Sequence, residues 1–297
     1  MRSTLRTMAS YARLIRFVPK SGGAPLIGEP VDGAMDVGIA SYEGKPIEVN
    51  VFSGNSVLQP GEKTGKMATV ERLLSPLAQA EVGTIRCIGL NYRSHAEEVS
   101  MPVPSVPTVF MKPAQALADP YPAPTVIPRA FVKDDAADYE SELVLVLGKD
   151  AKNVSEADAL EYLAGYTACN DVSSRVQQFA TSQWTFSKSF DGACPIGPAF
   201  VPKEAVKEFG KLSIKGIHNG KVVQESTMDD LIFSVPKIIS FLSQGSTLPA
   251  GTIIITGTPA GVGWTKEPKS LLRDGDDFRV NISGGIGTLI NKIVEEK

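Results

Sequence analysis

Asp138-Tyr139-Glu140-Ser141-Glu142-Leu143-Val144-Leu145-Val146-Leu147-Gly148 joins two glutamates to an unbroken apolar run. The run does not alternate, is too short for a typical helix and is rich in Val and Leu. It reads as a β-strand buried on both faces. Glu140 and Glu142 stand at its mouth. Two residues apart in a strand, they face one side about 6.5–7 Å from each other. Paired carboxylates repel, and burying them uncompensated is costly. They are either a solvated strand end or two ligands of a divalent cation. The next strand covers Tyr166 to Cys169 and stops at Asn170-Asp171, which makes Asp171 the natural third ligand. Ser155 followed by Asp158 predicts a helix over 157–163 between the strands. A strand–helix–strand unit of that size would set the two strand ends on one edge. Three carboxylates suit Mg²⁺, with Mn²⁺ or Ca²⁺ able to replace it. Two histidines and three scattered cysteines (Cys87, Cys169, Cys194), with no CxxC, speak against zinc and against a disulfide framework.

Downstream, His218-Asn219-Gly220-Lys221 predicts a tight hairpin, because Asn-Gly accepts positive φ angles. Ser234 opens a helix that tolerates Pro236 in its first turn and ends near Gly245. Thr252 to Thr256 is a strand feeding a Gly-rich turn over 256–263. That turn is not G-x-G-x-x-G, lacks the Walker Lys-Ser/Thr pair and loses a donor at Pro259, so it is not a phosphate cradle. No G-x-S-x-G occurs, which removes one serine-hydrolase reading. Asp274-Gly275-Asp276 and Ser283-Gly284-Gly285 punctuate the last strands. Upstream, residues 102–128 hold eight prolines and must be an extended connection, interrupted by one strand over 108–112. A strand from near Val82 runs to Leu90 and opens into a loop that carries His95. Residues 14–78 are short, Gly- and Pro-punctuated and β-rich, as in the alternation over 47–52.

These motifs match a known family in order. Ile88-Gly89-Leu90-Asn91-Tyr92-Arg93-Ser94-His95-Ala96-Glu97-Glu98 resembles the lid motif of the fumarylacetoacetate hydrolase family. Asp138 to Glu142, Asn170-Asp171-Val172-Ser173-Ser174-Arg175, Lys188-Ser189-Phe190-Asp191, Pro195-Ile196-Gly197-Pro198 and Thr256 to Gly263 resemble its other motifs. The similarity covers residues 82–294. It implies an α+β, mainly β fold: a mixed β-sandwich roll over 82–297, a small β-rich N-terminal domain over 14–78, and an N-terminal extension over 1–13. It implies Glu140, Glu142 and Asp171 as Mg²⁺ ligands and a catalytic His95–Glu98 pair on a lid. Lys188 would stabilise negative charge, and Arg175, Gln178 and Thr258 would line the substrate site. Members are usually homodimers. Val176 and Gly192 depart from the family's common Asp and Thr, which bears on substrate identity more than on the metal.

The substrates so implied are small 2-oxo acids of β-keto or acylpyruvate type, converted through an enolate held on the metal. The leading expectation is C–C cleavage by hydrolysis or decarboxylation. Oxaloacetate keto–enol tautomerisation is the rival, since Lys266-Glu267-Pro268 and Asn291-Lys292-Ile293-Val294 resemble a eukaryotic mitochondrial branch with that activity. A catalytically silent metal-binding scaffold is the third reading.

The whole composition agrees. The chain has 297 residues, 42% hydrophobic and 21% charged, enough for one or two domains. Net charge is −3, so no attraction to nucleic acid or anionic membrane is expected. No apolar run reaches the ~18 residues of a membrane span. Before Glu29 there is no acidic residue, and Arg2, Arg6, Arg13, Arg16 and Lys20 would share a helical sector of roughly 80°. That resembles a mitochondrial presequence. Leu14 to Val18 reads equally as a first strand, so either cytoplasm or mitochondria is expected.

Overall fold

The computed structural model describes residues 11–297. Arg2 and Arg6 of the presequence reading lie outside those residues. From Arg13 to Lys20, the rest of that stretch, the chain is not helical. Arg13 is buried, its guanidinium donating to the carbonyls of Met35 (2.6 Å) and Asp32 (3.1 Å). The predicted first strand follows directly.

Strands β1 (Ile15–Pro19), β2 (Leu26–Pro30), β3 (Glu48–Phe52) and β4 (Lys63–Leu74) close a small antiparallel barrel. Its core is Ile15, Phe17, Val49 and Leu73, with Leu26 packed against them, the inward side chains of the alternating pattern. The short helix α1 (Val37–Tyr42) is capped by Asp36, whose carboxylate accepts from the Gly38 and Ile39 N–H groups. The same carboxylate accepts from the Thr288 hydroxyl at 2.6 Å, which ties the barrel to the C-terminal half. At this seam a Cβ on Gly38 would lie 1.7 Å from the Thr288 carbonyl oxygen. Backbone cannot yield there as a side chain could. Gly38→Ala is therefore expected to cost about 1–3 kcal/mol or more, read as a lowered thermal midpoint. An unchanged midpoint would show that the seam is slack.

Beyond the barrel run α2 (Gln79–Val82), β5 (Ile85–Gly89), α3 (Arg93–Glu98), β6 (Thr108–Lys112), β7 (Leu117–Ala118), β8 (Thr125–Ile127), α4 (Arg129–Val132) and β9 (Ala137–Asp138). Val82 ends a helical turn instead of starting the strand. The proline-rich stretch is extended as expected, but it carries three strands, β6, β7 and β8, and a 3₁₀ turn over Ala114–Ala116, where one strand was expected. Then come β10 (Ser141–Leu147), β11 (Leu163–Asn170), β12 (Ser173–Ser174), α5 (Arg175–Ala180), β13 (Cys194–Pro202), β14 (Ser213–His218), β15 (Lys221–Thr227), α6 (Val235–Ser243), β16 (Ile253–Ile255), β17 (Asp277–Ile282) and β18 (Gly287–Glu295).

One mixed sheet has the order β6-β5-β16-β10-β11-β13-β7, and a second has β15-β14-β17-β18-β8. They pack face to face. Leu143, Leu145 and Leu147 of β10 meet a core that includes Ile214, Phe278, Val280 and Leu289. Val144 and Val146 point the other way into a second core with Ile85, Cys87, Phe110 and Ile255. This two-sided burial is why β10 reads as continuous apolar sequence. The α+β, mainly β architecture is that expected. His218 to Lys221 forms the predicted hairpin, with Asn219 and Gly220 at φ 49° and 78°. Ser234 caps α6 by accepting from the Lys237 N–H. Among the described residues no helix is long and apolar enough to cross a membrane.

The predicted helix over 157–163 is corrected. Only a single 3₁₀ turn, Ala159–Glu161, forms, with Ser155 and Asp158 hydrogen-bonded to each other before it. So short a connection cannot cross over to a parallel strand. β10 and β11 are instead antiparallel neighbours, Ser141 facing Asn170 and Glu142 facing Cys169.

Candidate functional site

Antiparallel pairing brings the start of β10 against the end of β11. The Asp171 N–H donates to the Glu140 carbonyl at 2.9 Å, and the Asn170 side-chain oxygen accepts from the Glu140 N–H at 3.0 Å. The turn so fixed aims three buried carboxylates at one point. Glu140, Glu142 and Asp171 each offer an oxygen, all within 4.8 Å of one another.

Three buried cations answer them. Lys188 Nζ lies 2.6 Å from Glu140 Oε2 and 2.8 Å from Asp171 Oδ2. Arg175, first residue of α5, donates through Nη1 to Glu140 Oε1 (2.6 Å) and to Gln178 Oε1 (2.8 Å). Its Nε reaches Asp138 Oδ2 at 2.8 Å. Lys112, the last residue of β6, puts Nζ 2.5 Å from Asp171 Oδ1 and donates to the carbonyls of Lys188 (2.5 Å) and Ala193 (2.9 Å). Sequence reading found Lys188 and Arg175 but missed Lys112 and Asp138.

The electrostatics separate the carboxylates. Burial opposes charge on Glu140, but Lys188 and then Arg175 outweigh it and hold this carboxyl well below its ordinary range. For Glu142 the help of Lys188 and the Gly257 N–H is too small. Burial, then Asp171 and Glu140, push its carboxyl well above the ordinary range. Its contact is the Gly257 N–H at 2.5 Å, and no lysine, arginine or histidine among the described residues pairs with it. Burial also opposes the Lys188 ammonium, yet Asp171 and Glu140 keep it above its usual value. A cluster of three buried carboxylates, one lacking a cationic partner, fits a divalent metal. All donors are hard oxygens, as Mg²⁺, Mn²⁺ or Ca²⁺ requires.

The Gly-rich turn has a use that the sequence reading did not find. Gly257 N–H holds Glu142, Gly261 N–H holds Glu98 at 2.8 Å, and Gly263 N–H holds Asp138 at 2.8 Å. It cradles carboxylates. Glycine is needed for close approach: Gly261 has φ 106°, and a Cβ there would lie 2.0 Å from the Val223 carbonyl oxygen.

His95 and Glu98 sit one turn apart on α3, with His95 Nδ1 2.7 Å from Glu98 Oε2. The other Glu98 oxygen accepts from Gly261 N–H and from the Thr265 hydroxyl, both at 2.8 Å. Burial works against the Glu98 charge, but the hydrogen bonds from His95, Thr265 and Gly261 bring it below its ordinary range. A carboxylate accepting at Nδ1 assigns the proton there and leaves Nε2 as the acceptor. α3 itself is pinned by Asp230, which accepts from the Ser94 N–H and hydroxyl.

His95, Glu140, Glu142, Arg175, Gln178, Lys188 and Thr258 all line one cavity of about 620 Å³. Asp171 lies beneath it. Thr258 Oγ1 is oriented by Gln224 Nε2 at 2.8 Å. The candidate site residues named from the sequence are thus gathered here; the other histidine, His218, lies at the β14–β15 hairpin, hydrogen-bonded to Ser270 and Asp276. The three cysteines are buried and free; Cys169 and Cys194 touch, Sγ to Sγ, at 3.4 Å.

Known proteins resemble this chain as a whole. The family model for the fumarylacetoacetate (FAA) hydrolase C-terminal region matches residues 84–294. Caffeoylpyruvate hydrolase from Neonothopanus nambi is 44% identical, over 97% of this chain and 95% of its own. The mitochondrial oxaloacetate tautomerase fahd2 of Xenopus laevis is 34% identical, over 99% and 93%. Among solved structures, the 2-hydroxyhepta-2,4-diene-1,7-dioate isomerase from Mycobacterium marinum superposes with a TM-score of 0.76 at 30% identity, covering 96% of this chain and 99% of that one.

Proposed function

The chain is an enzyme of the fumarylacetoacetate hydrolase family, and from that premise we propose that it hydrolyses a C–C bond in an acylpyruvate-type 2-oxo acid with the help of Mg²⁺. The observation that carries this reading is the single cavity. It joins a three-carboxylate centre, a buried lysine and a histidine held by a glutamate.

When bound by Glu140, Glu142 and Asp171, Mg²⁺ supplies a Lewis acid for the 2-oxo acid's oxygens. The side chains do the rest. His95 Nε2 takes a proton from water, while Glu98 holds the ring through Nδ1. The resulting hydroxide adds to the distal carbonyl carbon. The bond from that carbon to the pyruvyl methylene then breaks, its electron pair leaving with the pyruvate half as an enolate. Lys188 offers fixed positive charge to that developing anion in a dry site. The proton held by His95 passes to the enolate carbon, so that one water and one acylpyruvate give a carboxylic acid and pyruvate.

Two features support hydrolysis over tautomerisation. The full-length likeness to a caffeoylpyruvate hydrolase is the higher of the two, and a cavity of about 620 Å³ exceeds what a four-carbon acid fills. The second reading, oxaloacetate tautomerisation, is favoured by the Xenopus laevis relative and uses the same histidine for a proton transfer without water.

Purified full-length chain with Mg²⁺ is expected to release pyruvate from acylpyruvates. His95→Ala should lower kcat by about 10²- to 10⁴-fold and leave Mg²⁺ affinity unchanged. Fast loss of enol-oxaloacetate, with no pyruvate or CO₂ from any substrate, would establish the tautomerase instead. Metal binding with no activity that depends on His95 would establish a silent scaffold.

A further inference from the structure

Above the carboxylate floor the cavity changes character. Its upper wall is formed by Phe110, Phe179, Trp184 and Trp264, with Met101 and Pro104 beside them. The aromatics come as two pairs. Phe110 and Trp184 meet edge to face with ring centroids 5.7 Å apart, and Phe179 and Trp264 are tilted at the same separation. Trp184 lies against the backbone of β5. A Cβ on Gly89 would come within 2.4 Å of its ring, so the missing side chain of Gly89 is what admits the indole. The Trp184 carbonyl accepts from the Ser187 hydroxyl at 2.7 Å, which anchors its loop next to Lys188. Trp264 is faced on its outer side by Lys269, 3.2 Å from the ring centroid. Phe179 is 66% exposed, a large apolar surface left open at a cavity wall.

The cavity's cations are equally informative. Among the described residues its lining includes Arg175, Lys188 and His95 and no other basic residue. Each is engaged by a carboxylate on the cavity floor: Arg175 by Asp138 and Glu140 through Nε and Nη1, with its buried Nη2 left without a partner, Lys188 by Glu140 and Asp171, and His95 by Glu98. A second negative charge on the far end of a substrate, lying against the upper wall, would find aromatic rings and no cation among that wall's residues, and an unpaired charge is expelled from such a place. A flat, uncharged ring would find edges and faces suited to offset or edge-on stacking.

Resting on the hydrolase reading above, we propose that the acyl arm of the substrate is an uncharged aromatic group, held by Trp184 and Phe110 on one pair and by Phe179 and Trp264 on the other. Trp184 and Phe179 are then residues that determine specificity, and Gly89 acts through Trp184.

The test compares three probes on the full-length chain with Mg²⁺: benzoylpyruvate, acetylpyruvate and an acylpyruvate whose arm ends in a carboxylate. Benzoylpyruvate should have the highest kcat/KM, by at least about 10-fold, chiefly through a lower KM. In Trp184→Ala and in Phe179→Ala the benzoyl-to-acetyl ratio should fall by at least about 10-fold. General loss of folded enzyme would lower both substrates together and leave the ratio intact. Equal or better turnover of the acetyl or carboxylate-armed probe would overturn the aromatic arm while leaving the hydrolase reading standing. No pyruvate from any of the three would overturn the hydrolase reading and the arm with it.

Discussion

Glu142→Gln is expected to abolish metal-dependent activity while leaving the metal-free protein as stable as before, or more so. The two effects separate because of what Glu142 touches. Glu140 is bound by Lys188 and Arg175, and Asp171 by Lys188 and Lys112. Neutralising either of those would strand buried cations, so a loss of activity would be confounded with unfolding. Glu142 pairs with no cation among the described residues, and glutamine keeps an oxygen for the Gly257 N–H. What is removed is a buried carboxyl that its neighbours already disfavour as an anion. The metal, however, loses a ligand. Changes in groups that merely support a ligand cost about 10- to 100-fold in metal affinity, so losing the ligand itself should cost at least the upper figure. At Mg²⁺ near 1,000 times Kd the wild-type chain gains about 4.1 kcal/mol on binding, and a site weakened 100-fold gains only about 1.4 kcal/mol. Thermal melting with and without Mg²⁺ reads this directly. A large metal-induced rise retained in Glu142→Gln would remove Glu142 from the ligand set, and a fall in the metal-free midpoint would show that its carboxylate has a partner in solution.

The glutamates were legible because two local signals coincide: an i, i+2 spacing, and an apolar run that buries whatever lies at its mouth. Asp171 was legible only as a residue at a strand end. The geometry that joins it to them was read as a crossover and is an antiparallel pairing, since residues 157–163 supply one 3₁₀ turn where a helix was expected. Both topologies put Asp171 near Glu140, which is why the ligand set survives the wrong connection. Lys112 and Asp138 were not legible. A lysine at the end of a short strand in a proline-rich stretch is ordinarily a solvated tether, and nothing near it in sequence announces Asp171, 59 positions further on. The glycine turn was visible as glycines, but its three carboxylate partners come from α3, β9 and the residue after Ser141. Long-range hydrogen bonds of this kind leave no local pattern. The aromatic wall was hidden for the same reason: Phe110, the Phe179 and Trp184 stretch, and Trp264 come from three distant segments.

Lys112→Met should be among the most destabilising single changes in the chain, and its response to Mg²⁺ shows why the lysine is there. Methionine is close in length and apolar, so packing is nearly conserved and the charge is what changes. Lys112 has no solvent exposure. Burial opposes its ammonium, but Asp171 outweighs that and holds it above the ordinary lysine range. Without it, Asp171 Oδ1 and the carbonyls of Lys188 and Ala193 lose their donor inside the protein. Breaking a buried ion pair from one side costs about 3–5 kcal/mol, and at about 2–4 °C per kcal/mol for a chain of this size the midpoint should fall by roughly 10 °C. Arginine should not rescue it, because a planar fork cannot fill the place of a compact ammonium aimed at convergent oxygens. If Lys112 is the standing counter-charge of the carboxylate centre, the stranded Asp171 anion is better neutralised by a divalent cation. Saturating Mg²⁺ should then recover more stability in Lys112→Met than it adds to the wild-type chain. Equal recovery in the two proteins would reduce Lys112 to a packing plug, and a wild-type midpoint without metal would mean that water reaches Asp171 from a side the fold keeps closed.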